Sequence, residues 1–481
     1  MTTPPAGAPG TTPISDTAPA PDGRSGPSRD SPVPVPPALV TDLYELTMAA
    51  AYLADGLEHE ATFELFVRTL PHERRFLVAA GLADALEGLE AWRFDAGDVA
   101  YLDGLGSFPR GFVDRLADLR FSGEVWAVPE GEAVFAGEPL VRVTAPLVEA
   151  QIVETWLLNR VASQTMLASK AARVALACGD RSFVDFSARR DHGVDAAMAA
   201  ARGAWICGAV GTSLVAAGRR FGIPLSGTMA HSFVMSYDDE RDAFRAYVRS
   251  FPRSAVLLID TYDTVEGARR AAEVAHEVAA DGIAIDGVRL DSGDLGELAQ
   301  EVRRVLDDAG LPGVRILGSG DLDEHRVAAL IAGGAPIDAF GVGTQLGTSG
   351  DAPSLGAVYK LVEDAEGPKM KLASGKVTLP GRKQVWRLDD HDVLSLHDEE
   401  VPGGRPLLTR VMAGGRRTEA EPLDRIRARA MATIAALPPA LRSLDPAPGP
   451  VWPVDVSPGL DRLAATVQAG LGSAPAGEAT R

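Results

Sequence analysis

Between Ala150 and Phe340, short apolar runs alternate with amphipathic stretches of helix length, and this alternation limits the chain more than any other feature. Ser182 to Phe186 reads as a strand before an Ala-rich helix from Asp195, and Ile223–Gly227 and Ala255–Ile259 are further short apolar strands. The helix Val265–Ala280 precedes a strand around Asp286–Leu290, Leu295–Ala309 precedes Val314–Leu317, and Glu324–Ala332 leads to Ile337–Phe340. Strands separated by whole helices are the signature of parallel pairing through crossovers. Their number favours a closed or nearly closed α/β barrel over a doubly wound sheet. With fewer than eight clear strands, an irregular (β/α) barrel over residues 151–356 is the expectation.

The flanks read differently. Thr41 to Leu53 has a helical start signal with apolar residues at helical spacing, Glu60 to Val67 alternates like a strand, and Gly123 to Val143 is Gly-rich and β-branched. These suggest an α/β domain over residues 38–150. After Ala357 the pattern turns hairpin-like, with Tyr359–Glu363 and Lys369–Ala373 on either side of Asp-Ala-Glu-Gly, so residues 357–442 are expected to return to that domain as an α/β sandwich. A chain of 481 residues can hold two cores. Residues 1–37 carry 11 of the 34 prolines and no aromatic residue, which predicts a disordered tail. A second tail is expected over 443–481, fading into Ala, Gly and Ser from about Leu460.

The net charge of −19 argues against sequence-independent nucleic-acid binding, although it leaves room for a local basic pocket. Only Cys178 and Cys207 occur, so a disulfide framework is excluded and a reducing compartment fits. No apolar run reaches the roughly 18 residues of a membrane helix. Nor does a basic patch precede an apolar segment at the N-terminus, so a cytoplasmic protein without a membrane partner is expected.

Chemistry gathers after the strands. In order come Asp185-Phe-Ser-Ala-Arg-Arg190, Gly227-Thr-Met-Ala-His231, Asp260-Thr-Tyr-Asp263, Arg289-Leu-Asp-Ser-Gly-Asp294, Gly318-Ser-Gly-Asp321 and Gly341-Val-Gly-Thr344. Gly and Asp are ordinary turn formers and His231 alone would more often be structural, but six such motifs in succession are not coincidence. Gly318-Ser-Gly320 and Gly341 to Thr344 suit a phosphate, with Arg289 and Arg189 or Arg190 as fixed cations. Asp260, Asp263, Asp291 and Asp294 can bind sugar hydroxyls or Mg²⁺, while helix capping is the alternative, strongest for Asp294. A phosphorylated sugar with a metal is the guest these groups suit.

Several longer segments resemble nicotinate phosphoribosyltransferase: Thr41-Asp-Leu-Tyr-Glu-Leu-Thr-Met48, Gly227-Thr-Met-Ala-His231-Ser-Phe233, Val288-Arg-Leu-Asp-Ser-Gly-Asp-Leu295, Phe340-Gly-Val-Gly-Thr344, Pro353 to Leu361 and Leu379-Pro-Gly-Arg-Lys383. The resemblance runs in order from about Leu39 to Arg429 and covers neither tail. It implies ATP-assisted, ligase-type synthesis of nicotinate mononucleotide from nicotinate and phosphoribosyl pyrophosphate (PRPP) in NAD salvage. It also implies Mg²⁺ and a homodimer with shared active sites.

Carried onto this chain, the resemblance makes His231 the phosphorylated histidine and Asp260 the carboxylate that orients it. Phe186 and a partner subunit's Tyr44 would sandwich the pyridine ring, with Arg189, Thr228 and Arg289 near nicotinate. Arg289, Asp291, Gly318, Ser319, Gly343, Thr344 and Thr348 would hold PRPP. Metal ligands stay open, with Asp263 and Asp294 as possibilities. Nicotinamide-specific relatives carry an aspartate where this chain has Ser213, which favours nicotinate. The other readings are quinolinate phosphoribosyltransferase, which uses no ATP, a catalytically silent nicotinate or nucleotide sensor, and a Schiff-base aldolase. The last would need a strand-end lysine, and Lys170 lies in a helix.

Overall fold

The computed structural model describes residues 37–373, 378–418, 420–445 and 449–472. The tail expected over 1–37 therefore lies outside the described residues except for Pro37, which opens a short 3-10 turn, Pro37–Leu39.

Five parallel strands form the central sheet, in the order Ser182–Asp185, Ala339–Val342, Arg315–Gly318, Gly287–Leu290 and Val256–Leu258. Two single-residue parallel bridges, Asp185 to Thr212 and Thr212 to Leu225, extend the row on one side. The crossovers are helices Val194–Ile206, Thr264–Ala279, Leu295–Asp308 and Glu324–Ala332, close to the stretches expected from spacing. Their apolar faces (Ala268, Val274, Val302, Leu306, Val327) meet strand residues Leu258, Val288, Ile316 and Phe340 in one buried cluster. Full burial of each larger side chain stabilises by roughly 1.5–3 kcal/mol, which is why these strands read as unbroken apolar runs.

Ladder hydrogen bonds define an open sheet, since among the described residues none joins Leu225 to Val256–Leu258. Side chains bridge that gap instead. The strand expected over Ile223–Gly227 is also not a strand. Phe221 ends helix Val215–Phe221, Gly222 closes it in the left-handed conformation (φ 71°), and Leu225 makes only the bridge. The last strand is Ala339–Val342, two residues later than expected, which puts Gly341 and Val342 inside the sheet.

A second buried cluster surrounds a seven-stranded antiparallel sheet. Within it Glu60–Val67 pairs with the central strand, Pro139–Pro146, on one side and Ala357–Asp364 on the other. Glu124–Ala127 pairs with Thr409–Ala413, so both ends of the chain build this sheet. A separate sheet joins Asp392–Leu396 to Val454–Val456, and helix Pro458–Gly472 follows with Leu460 fully buried. The tail expected over 443–481 is thus ordered across 449–472, because Leu460 and Trp452 dock into the two cores; Trp452 stacks on Phe135 at 5.2 Å.

Cys178 and Cys207 are free and buried, and burial pushes both thiols up to about 12, so neither is a nucleophile. No described helix is long and apolar enough to cross a membrane.

Candidate functional site

The carboxyl ends of the parallel strands carry a row of reactive side chains, the position where such sheets bind ligands. In sheet order the row runs Ser213 and Thr212, then Phe186, Gly343 and Thr344, Gly318 and Ser319, Asp291, and Asp260 with Thr261. Residues following Leu225 complete it, and they touch the opposite end. Arg289 Nη1 donates to Thr228 Oγ1 at 2.6 Å, and His231 Nδ1 lies 3.2 Å from Thr261 Oγ1. The row therefore curls until its two ends meet, and the ring is closed by side chains rather than by a ladder.

His231 begins the short helix His231–Val234, and its Nε2 stands 4.0 Å from Asp291 Oδ2. The imidazole is 40% exposed, open to a ligand. Asp260, the expected orienting group, lies elsewhere in the hydrogen-bond network. Its Oδ2 accepts from Asp291 N at 3.1 Å and from Ser292 Oγ at 2.5 Å. Thr261 occupies the orienting position at Nδ1 instead. That threonine falls inside the Asp-Thr-Tyr-Asp motif, but nothing in its residue type singles it out.

Asp291 accepts from Ser319 Oγ at 2.6 Å, joining two strand ends. Gly320 turns there with φ 96°, and a Cβ would lie 2.1 Å from the Asp291 carbonyl oxygen, so only glycine fits. Two polar atoms at the mouth are buried without partners, Arg289 Nε and Asp260 Oδ1. Burial pulls the Arg289 guanidinium below its usual value, with Asp291 and Asp260 opposing that pull. Such groups are costly unless a ligand satisfies them.

Phe186 is buried, and its ring fills the space above Gly341, where a Cβ would meet ring carbons at 2.5 Å. Arg189 stands exposed on the loop that follows. Thr348 Oγ1 donates to the Thr344 carbonyl at 2.7 Å, one turn along from the Gly343 corner. Ser213 is exposed at the same edge.

Asp263 and Asp294, raised as metal ligands, serve as helix caps. Asp263 accepts from Glu266 N, and Asp294 accepts from Gly296 N and Glu297 N. Each carboxylate meets its own helix start before any ion could claim it. Tyr44 lies on helix Leu43–Ala54 and is 45% exposed, with Glu154 and Glu45 beside it. Its contacts are with these acids; no ring contact with Phe186 occurs among the described residues of one chain.

A second charged cluster lies below the row. Lys170 Nζ pairs with Glu324 and, at 3.0 Å, with Asp351 Oδ1. Arg74 Nε meets Asp351 Oδ2 at 2.8 Å, and Arg173 Nε meets Glu324 Oε1 at 2.7 Å. His325 Nε2 lies 3.1 Å from Glu73 Oε2, completing a possible metal-ligand trio with Glu324. Arg173 already pairs with both acids of that trio, so cations occupy their charge. The buried Lys170 is an ion-pair partner, which disposes of the Schiff-base reading.

With this geometry in view, comparison with known proteins is decisive. Residues 39–162 match the nicotinate phosphoribosyltransferase N-terminal domain, and residues 181–363 match the nicotinate phosphoribosyltransferase family. The chain belongs to the nicotinate phosphoribosyltransferase family. It is 51% identical over 427 residues to a nicotinate phosphoribosyltransferase of Mycobacterium tuberculosis, covering 87% of this chain and 91% of that one. It is 47% identical to the Bacillus subtilis enzyme of the same name, covering 76% and 77%. Among solved structures, human nicotinic acid phosphoribosyltransferase superposes with a TM-score of 0.80 at 31% identity, covering 89% of this chain and 99% of that one.

Proposed function

We propose that the protein makes nicotinate mononucleotide from nicotinate and PRPP, releasing pyrophosphate, and couples this to ATP hydrolysis through a phosphohistidine at His231. The carrying observation is the meeting of His231, Arg289 and Asp291 at one strand-end rim, beside a guanidinium nitrogen and a carboxylate oxygen with unused hydrogen-bonding capacity. Family membership supports the same substrates.

In this reading Phe186 supplies one stacking face for the pyridine ring, and Arg289 and Arg189 attract the substrate carboxylate. Asp291 accepts from the ribose hydroxyls. The Gly318-Ser319 and Gly343-Thr344 corners, with Thr348, receive the 5-phosphate. The C1′–oxygen bond to pyrophosphate breaks as the pyridine nitrogen forms its bond to C1′. Positive charge that builds on the ribose is met by Asp291. The unpartnered Oδ1 of Asp260 and the Asp291 carboxylate are hard oxygen donors that fit Mg²⁺. The ion, carried in with PRPP, would offset charge on the leaving pyrophosphate.

Thr261 holds Nδ1 of His231, leaving Nε2 as the atom that takes the γ-phosphoryl group from ATP as ADP leaves; water later takes that group from Nε2 as inorganic phosphate, which completes the hydrolysis. Tyr44, exposed and remote from Phe186 in contacts, is the group a second subunit would insert, so the proposed working form is a homodimer. Two buried free thiols support a reducing, cytoplasmic setting.

The test is purified protein with PRPP and Mg²⁺, given nicotinate or nicotinamide, with and without ATP. Nicotinate should be strongly preferred, because the exposed Ser213 puts no acid at that edge. The His231→Ala variant should lose the acid-labile, alkali-stable label from γ-labelled ATP and lose all stimulation by ATP. A labelled, ATP-stimulated variant would refute the phosphohistidine, and equal efficiency on the two pyridines would refute the substrate choice.

A further inference from the structure

The loop that leaves the strand Ser182–Asp185 carries Phe186 and Arg189 and ends in Asp191, a residue that neither the family motifs nor the proposed chemistry uses. Its carboxyl group is packed into the turn Thr344–Gly347. A Cβ on Gly347 would lie 1.6 Å from Asp191 Oδ1 and 2.5 Å from Ser187 Cβ, so glycine is there to admit the acid. Oδ1 is buried and has no hydrogen-bond partner. The other oxygen, Oδ2, has one hydrogen-bond partner, Ser187 Oγ, at 3.0 Å.

Counting protons settles which acid is charged. Ser187 Oγ also lies 2.6 Å from Asp185 Oδ1, and a hydroxyl has one proton to give. Asp185 is fully buried and already accepts from Ser187 N at 3.0 Å and from Thr212 Oγ1 at 2.7 Å, so it is the stabilised carboxylate and takes the hydroxyl proton. Asp191 then faces a lone pair on Ser187 Oγ, and the 3.0 Å contact is a hydrogen bond only if Asp191 Oδ2 carries a proton and donates it.

The surroundings agree. Burial, with Asp185 adding to it, holds the Asp191 carboxyl up at about 6, against the lowering effect of His192. Arg189 and Arg190 on the same loop are exposed, and the facing turn Thr344-Gln-Leu-Gly347 has no ionisable residue. The relay therefore runs Asp191 to Ser187 to Asp185 within one loop, and its Asp191 end is packed against Gly347 of the turn proposed to receive phosphate.

We propose that Asp191 is a positioning residue whose neutral form holds this loop against the phosphate turn, so that PRPP binding takes up a proton at Asp191. An arriving phosphate dianion beside a buried, unpartnered oxygen disfavours the ionised acid, and by linkage the acid gains a proton. The inference rests on the PRPP reading of that turn and goes beyond it.

Calorimetric titration with PRPP and Mg²⁺ near pH 7, in buffers of different ionisation enthalpy, reads the proton count directly. Wild type should take up more protons than Asp191→Asn, whose amide still donates to Ser187 but cannot titrate. Above about pH 6, wild-type affinity should also fall relative to the variant, by up to about tenfold per pH unit. Ser187→Ala, which removes the acceptor, should lower the uptake as well and covers the case of an Asn variant that fails to fold. Equal uptake in wild type and a folded variant overturns the proposal. Wild-type protein that binds no PRPP would instead overturn the proposed function, a failure this experiment tells apart.

Discussion

Two clusters of the same residue types lie a few strand ends apart, and they are built on opposite principles. In the lower cluster, Arg74, Lys170 and Arg173 interlock with Asp351, Glu324 and Glu73, and each of these charges faces an opposite one. Their pairing draws the Asp351 carboxyl well below its usual range and lowers that of Glu324. At the rim, Arg289, Asp260, Asp291 and His231 are tied together loosely and keep unpartnered atoms. Charge type does not separate a site from a brace. Pairing does: no charged atom of the lower cluster is buried without a partner, whereas Arg289 Nε and Asp260 Oδ1 at the rim are, and a ligand there would satisfy them.

The comparison can be broken from either side. Glu324→Gln removes the charge that Lys170 and Arg173 share and leaves these buried cations only Asp351 and Glu73, which should cost up to about 3–5 kcal/mol of stability. Denaturant titration should show this as a lower midpoint. PRPP affinity of the folded fraction should be close to wild type, and an unchanged midpoint would mean that the cluster braces nothing. Arg289→Ala should do the reverse. The loss of a charge aimed at anionic substrate should weaken binding by about 2–5 kcal/mol while the melting temperature hardly moves. A large drop in melting temperature would make Arg289 part of the framework.

A smaller effect sharpens the same contrast at Glu45, fully buried under Tyr44's helix and hydrogen-bonded by Thr41 and Thr155. Burial raises its carboxyl from 4.5 to about 7. The folded state thus holds a proton more tightly than the unfolded chain. This stabilisation is complete below about 4.5 and is lost as pH rises toward about 7. Wild-type stability should slope downward across that window by up to about 1.4 kcal/mol per pH unit. Glu45→Gln should flatten the slope, and an unaltered slope would place the titrating group elsewhere.

The crossovers were legible because helix and strand periods differ and each apolar run is buried on both faces. The apolar run ahead of Gly227 misled for a local reason. Apolar residues there end a helix and then bury only Ile223, leaving Leu225 56% exposed, and periodicity cannot register a chain reversal at Gly222. Helix Pro458–Gly472 was hidden because it is anchored through few residues, chiefly Leu460 and Ala464, in an Ala- and Gly-rich stretch. At the rim, the types that do chemistry were visible beside glycines. Which of them touch was not, since Thr261 at His231 and Ser187 between two acids are tertiary facts. Capping also claimed Asp263 and Asp294, because a side chain at a helix start meets free N–H groups of its own chain first.

The sheet woven from both ends of the chain has a consequence during synthesis. Ala61 takes its place opposite Asp364, so the strand Glu60–Val67 emerges from the ribosome roughly 300 residues before its neighbour. At about 5–20 residues per second the delay is on the order of 15–60 s. One side of that strand waits unpaired, with Phe63 and Leu65 in reach of other nascent chains. Slow, late closure of this sheet should then make expression of the protein sensitive to temperature and to chaperone supply.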